Sequence, residues 1–266
     1  MLQEVHSIPQ VNQELKRLTR RRERLVDERV DYINTLQTDL RAISPGLVEI
    51  TKNVKNVWFL NFLASSDDLR KLVNKSKKTL LNIKQVGKKY VEIILQWQNN
   101  ATFSDDISFM SAMLNQDIAR IIALGEMIKE LDKQIFERLG SSQIASRLLS
   151  MKGFGVKCCG ALAGEIGCIE RFKKESSLAL YLGMAALDNS SGKYQGSKRS
   201  KQVNRHAKAA MMVAVDRQRK GSEQSQQYYE KKRLEGKKHN QAIRSLGRHL
   251  TRVIFKMLTE DRDYYV

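Results

Sequence analysis

Apolar side chains recur every three or four positions from Val11 to Ile43, with Leu15, Leu18, Leu25, Tyr32, Leu36 and Ile43 on one stripe. That spacing predicts a long helix whose stripe is the seam of a coiled coil. Arg22 and Arg29 fall on seam positions and interrupt it. Ser44-Pro45-Gly46 ends the run, because proline cannot continue a helix. A mixed stretch with Trp58, Phe59, Phe62, Leu69, Leu72, Leu80 and Tyr90 reads as shorter helices. From Ser104, placed as an N-cap, helical spacing resumes through Ile107, Leu114, Ile118, Ile121, Ile128, Ile135 and Leu139 to Gly140. Two long amphipathic helices around an insert predict an antiparallel coiled-coil hairpin or a dimer element, the alternative being a helical bundle that packs only on itself.

Beyond Leu148 the pattern changes. Leu148 to Ala163 reads as a helix end, a Gly-Phe-Gly turn and a second helix rich in small residues, the form of a helix-hairpin-helix over about 148–168. Gly153 and Gly155 let a backbone approach a phosphate, the second helix offers free N–H groups, and Lys152 and Lys157 add charge. The alternative is an ordinary turn between helices with glycine at the cap. The apolar run from Leu178 to Leu187 then breaks into small, polar and basic residues over 188–201, a loop suited to a phosphate backbone. Asn204 opens a further helix carrying Arg205, and a last helix spans about Asn240 to Leu258. On that last helix Arg244, Arg248, Arg252 and Lys256 recur every four residues without interleaved acids, which favours phosphate contact over a merely solvated face. The fold class expected is mainly α, a long coiled-coil hairpin (1–147) followed by a compact helical domain (148–266), with at most a small β element near 188–196.

Composition sharpens this reading. With only 2 Pro and 15 Gly in 266 residues, long helices are favoured over a turn-rich β architecture. The net charge is +18, and it is uneven. Residues 1–149 hold 23 basic and 18 acidic side chains, whereas 150–266 hold 24 and 11. A polyanionic partner therefore belongs to the second part. No apolar run approaches the length of a membrane span, and no signal peptide opens the chain. Cys158, Cys159 and Cys168 form neither a disulfide framework nor a CxxC pair, and His6, His206, His239 and His249 lack zinc spacing, so no metal site is expected. A reducing cytoplasm fits.

Several stretches resemble the DEDD-type insertion-sequence transposases, relatives of the Piv DNA invertase, some of which are guided by a bridge RNA. These stretches are LKRLTRRRERLVDERVDYINTLQTDL, LLSMKGFG, GALAGEIGCIERFKKESSLALYLGM, SSGKYQG and SKQVNRHAKAAM. The likeness is specific from Leu148 to Met211. It implies a recombinase that cuts and rejoins DNA through a serine nucleophile directly before a glycine, the position of Ser191, with Ser190 adjacent. Lys193, Lys198, Arg199 and Lys201 would then contact the DNA backbone; Arg205, just beyond, is expected to bind nucleic acid through its charge. The resemblance also implies an N-terminal RNase H-like domain with an acidic tetrad, expected to lie outside these residues. No cofactor is expected on this chain, and Mg2+ only with that acidic domain. The implied partners are DNA at transposon ends and target, in some members a guide RNA, and a second copy of the chain. The implied setting is the cytoplasm of a bacterium or archaeon, at the nucleoid.

The sequence departs from the family pattern in places. It has no proline in Leu182-Gly183-Met184-Ala185-Ala186, Gln202-Val203 stands where a glycine is usual, and Ala207-Lys208 replaces a leucine–arginine pair. A shortened or split transposase is expected. Two other classes stay open: a non-catalytic DNA- or RNA-binding protein, and a helical structural protein whose coiled coil drives association.

Overall fold

A computed structural model describes residues 6–185, 187–188, 197–198 and 203–265, with 187–188 and 197–198 described by their backbone. The chain is mainly α, and it divides into two compact units, Met1–Arg22 with Leu131–Val266 and Glu23–Glu130. This division differs from a break at 147/148. Asn12 and Leu15 are buried with the C-terminal residues: the Asn12 side chain donates to the Gly167 carbonyl (2.6 Å) and accepts from Ser142 (2.6 Å).

Helix α1 (Gln10–Ile43) and helix α6 (Ile107–Leu139) are the two long helices, and each contributes residues to both units. In the Glu23–Glu130 unit, Glu28 accepts from Arg120 and, fifteen residues on, the Ile43 carbonyl accepts from the Ser104 N–H just before α6, so these stretches of α1 and α6 run antiparallel. Pro45 both stops α1 and supplies the first residue of α2 (Pro45–Glu49), where its missing N–H costs nothing. The expected short helices are α3 (Val57–Leu63), α4 (Lys77–Leu81) and α5 (Lys88–Gln98). Phe59, Phe62, Leu72, Ile94, Leu114 and Ile118 form this unit's core, with Trp58 stacked on Tyr90 at 4.2 Å. Ser104 does not cap α6: its hydroxyl is buried without a hydrogen bond, and the helix begins at Ile107.

In the other unit the ends of α1 and α6 again pair antiparallel, through Glu14–Arg138 (2.7 Å) and Arg22–Asp132. Arg22 interrupts the apolar stripe because it faces a carboxylate across that pairing. Helix α7 (Gln143–Leu149) is capped by Ser142 and leads through a turn to α8 (Val156–Ile166). Helix α8 is buried along most of its length because its small residues admit neighbours closely. A Cβ on Gly164 would lie 2.5 Å from the Lys16 backbone nitrogen, so only glycine allows α1 this near. Helix α9 (Glu175–Tyr181), α10 (Arg205–Gly221), α11 (Glu223–Leu234) and α12 (His239–Thr259) complete the unit. Helix α12 packs on α9, α10 and α11 through Ile243, Leu246, Leu250, Ile254 and Met257. Among the described residues the only strand pairing is β1 (Leu187–Asp188) with β2 (Ser197–Lys198), antiparallel, joining Leu187 to Lys198 and Asp188 to Ser197.

Candidate nucleic-acid interface

At the centre of the Met1–Arg22 and Leu131–Val266 unit lies a buried carboxylate. Glu165 falls among Leu162, Ala163 and Ile166 on α8, and only 1% of it is exposed. A charge so placed requires partners. Arg20 supplies two hydrogen bonds, from Nε at 2.6 Å and Nη2 at 2.9 Å, and Lys16 Nζ stands 3.9 Å away. The Asn204 amide donates to Glu165 Oε2 at 2.7 Å and to the Tyr181 hydroxyl at 2.7 Å. The Tyr181 hydroxyl donates in turn to the Glu165 carbonyl at 2.8 Å. Burial alone would push the Glu165 carboxyl up, but hydrogen bonds from Arg20 and Asn204 outweigh it and hold the pKa below its ordinary value.

Tyr181 closes α9, and Asn204 caps α10 by accepting from the Ala207 N–H. The Asn204 N–H also donates to the Tyr181 carbonyl at 2.9 Å. Both ends of the 182–203 segment are thus tied to one residue. Sequence reasoning passed over Glu165. The signal was available in a lone acid on an otherwise apolar, small-residue helix.

The turn between α7 and α8 carries four expected contacts. Lys152 is exposed and has no acidic partner among the described residues. Gly153 has φ +83°, and a Cβ there would lie 2.3 Å from the Gln218 backbone nitrogen. Its glycine is therefore needed by close contact with α10. Gly155 precedes α8 with φ −84° and has Arg217 Nη1 3.8 Å from a notional Cβ. Lys157 pairs at 3.0 Å with Asp132, a carboxylate it shares with Arg22, so it already has an acidic partner. Arg217, exposed and without an acidic partner among the described residues, is a cation the sequence reading missed.

The basic row on α12 needs correction. It does not lack acids, because Glu175 at the start of α9 faces it from elsewhere in the chain. Arg248 makes a two-pronged pair with Glu175, Arg252 stands 3.8 Å from the same carboxylate, and Lys256 lies 3.7 Å from Glu260. Those contacts keep the Glu175 carboxyl below its ordinary value, the hydrogen bond from Arg248 being the main cause. Arg244 remains exposed and without an acidic partner among the described residues. It lines a groove of about 560 Å³ with Met184, Tyr228, Lys232, Lys237 and Arg248. Lys232 and Lys237 share Glu235. Arg205 is exposed at the first turn of α10.

Ser191, Ser190, Lys193, Arg199 and Lys201 lie outside the described residues, and Lys198 is described only through its backbone pairing with Leu187. Among the described residues no three His, Cys, Asp or Glu side chains gather as a metal site. The most buried carboxylate, Glu165, has its oxygens committed to Arg20 and Asn204, so the donor set does not suit a divalent cation. The cysteines are buried, and burial pushes the Cys159 thiol up to about 12, which removes it as a nucleophile at neutral pH. No helix of the described residues is long and apolar enough to cross a membrane.

The chain is similar to proteins of insertion elements. The chain is 33% identical over 148 residues to the insertion element IS900 uncharacterized 42 kDa protein of Mycobacterium paratuberculosis, covering 54% of this chain and 37% of that protein. It is 27% identical over 271 residues to the insertion element IS116 uncharacterized 44.8 kDa protein of Streptomyces clavuligerus, covering 96% of this chain and 65% of that protein. It is 31% identical over 145 residues to the insertion element IS110 uncharacterized 43.6 kDa protein of Streptomyces coelicolor, covering 54% and 36%. The chain thus spans less than two thirds of the length of each relative. Residues 145–230 match the family described as the transposase IS116/IS110/IS902 family. The α7–α8 turn, the buried Glu165 and its partner Asn204 all lie within the segment that is similar to the IS116/IS110/IS902 transposase family.

Proposed function

We propose that the chain is the DNA-binding and strand-joining part of an insertion-element transposase, with Ser191 as its nucleophile. The observation that supports this most is the Glu165 network. It joins Tyr181 to Asn204, the two ends of the segment that contains Ser191, inside the stretch matching the transposase family. In the proposed step the Ser191 oxygen bonds to the phosphorus of a DNA phosphodiester while a phosphorus–oxygen ester bond breaks. The bond pair leaves on the sugar oxygen, which takes up a proton, and the serine proton passes to water. Attack of a second strand's sugar hydroxyl on the serine–phosphate link rejoins DNA and restores the serine. A serine hydroxyl is a weak nucleophile unassisted, and the role of Lys193, Lys198, Arg199 and Lys201 is to offset charge developing on the phosphate. Lys152, Arg205, Arg217 and Arg244 hold the backbone of DNA, or of a guide RNA, and the protein works as a homodimer at the nucleoid of the cytoplasm.

The test is trapping on a denaturing gel, with an acidic domain from a longer relative supplied in trans together with magnesium. A DNA-linked protein is expected that Ser191→Ala removes and Ser190→Ala leaves. The opposite pattern would shift the nucleophile to Ser190. A second reading, a non-catalytic nucleic-acid-binding protein, rests on the exposed cations Lys152, Arg205, Arg217 and Arg244 alone. It predicts binding without any adduct.

A further inference from the structure

After α12 the chain turns back at Asp261, a non-glycine residue at φ +49°, so that Asp261 and Asp263 reach the same guanidinium. Arg147, on the last turn of α7, donates from Nε to Asp261 Oδ1 and from Nη1 to Asp263 Oδ1, each at 2.9 Å. The Tyr264 N–H donates to Ser150 Oγ at 2.8 Å. Tyr264 also lines a cavity of about 210 Å³ with Lys152. Arg262, the cation of this segment, is taken by Glu260 at 2.6 Å. Two carboxylates on one arginine leave an excess of negative charge at that point, in a part of the chain that otherwise carries a surplus of 13 positive charges.

We propose that Arg147 and Lys152 form an anion-binding edge of the α7–α8 turn that the acidic segment Glu260–Tyr264 covers, and that the phosphodiester backbone of a bound nucleic acid displaces this segment and takes the place of its two carboxylates. The inference rests on the reading that the protein binds nucleic acid. The chemistry of the exchange is direct. The N–H groups of a guanidinium, with an ammonium beside them, are donors that a phosphate's non-bridging oxygens accept from as a carboxylate's do. The contacts being exchanged are exposed: the side chains of Asp261 and Asp263 are 53% and 48% accessible, so water and salt screen them. Hydrogen bonds from Arg147 and Gln143 hold the Asp261 carboxyl below its ordinary value, so the cover is charged at neutral pH and competes as an anion.

The test measures the affinity of the full chain for a short labelled DNA duplex, and for an RNA duplex of the same sequence, at fixed salt. Asp261→Asn with Asp263→Asn should tighten binding about fivefold to tenfold. In an Arg147→Ala background the same pair should change affinity by less than about twofold, because the edge it uncovers is gone. Tightening on both duplexes, or on one alone, supports the proposal and tells which nucleic acid takes the edge. Equal tightening in both backgrounds would show only a change of bulk charge and would overturn it, as would no tightening. In the unmodified protein, hydrogen exchange at the Tyr264 amide should speed up when nucleic acid is added, and unchanged exchange would also count against the displacement. If no form binds either duplex, the functional reading itself fails, an outcome distinct from binding that ignores Asp261 and Asp263.

Discussion

Glu165 concentrates the physics of the site in one side chain. Replacing it by glutamine keeps the shape and one acceptor but removes the charge that balances Arg20. Loss of one partner of a buried ion pair is costly, but Arg20 itself is 41% exposed and water screens part of the loss. Glu165→Gln should therefore lower stability by about 1–3 kcal/mol in urea unfolding at neutral pH. The sign with pH follows from the depressed carboxyl. A group whose folded pKa is lowered contributes stability above its unfolded value, and that contribution is lost as the pH falls through the folded value. The two proteins should thus differ most above the ordinary value of 4.5 and converge below it. A gap that persists unchanged at strongly acid pH would assign the loss to packing. The Asn204–Glu165 and Asn204–Tyr181 bonds should fail together in the variant, and any Ser191-dependent adduct should fall more than DNA binding does.

At the scale of elements, helix periods were legible and partners were not. Leu15 to Ile43 and Ile107 to Leu139 predicted α1 and α6 to within a few residues, because an apolar stripe at helical spacing is a local signal. The pairs Arg248–Glu175 and Arg147–Asp261 join residues 73 and 114 positions apart, and no local pattern carries that information. The α7–α8 turn shows the same limit, since the sequence marks two glycines and only the fold separates their roles. Gly153→Ala would place a Cβ 2.3 Å from backbone at a positive φ and should cost about 2–4 kcal/mol in thermal or urea unfolding. Gly155→Ala meets only the end of the Arg217 side chain, at 3.8 Å and ordinary φ, and should cost no more than about 1 kcal/mol, the difference expected of any glycine-to-alanine change. Equal losses at the two positions would contradict the contact of Gly153 with α10. On α12 the prediction divides likewise. Arg248→Ala breaks the tie to α9 and should lower stability by about 1–2 kcal/mol with little change in the salt dependence of DNA binding. Arg244→Ala should leave stability alone and weaken DNA binding.

For the whole molecule the question is how much of the +18 charge is available to a polyanion. Ion pairs inside the chain already occupy much of it. Lys157 is held by Asp132, Arg248 by Glu175, Arg147 by Asp261 and Asp263, and both Lys232 and Lys237 by Glu235. Lys152, Arg205, Arg217 and Arg244 have no acidic partner among the described residues, so they reach a phosphate without first giving up a carboxylate. Each phosphate neutralised on duplex DNA releases about 0.9 of a counterion. Four such contacts would make the logarithm of the binding constant fall with the logarithm of salt at a slope of about −3 to −4. Removing Arg244 should bring the slope about one unit nearer zero, and removing Arg248 should scarcely move it. An affinity indifferent to salt would mean that the charge keeps the protein soluble and does not hold nucleic acid. A slope much steeper than that range would place further contacts on the residues around Ser191, where Lys193, Lys198, Arg199 and Lys201 add four more positive charges. Substituting those four together and measuring the loss of slope would then show how much of the interface lies beside the serine.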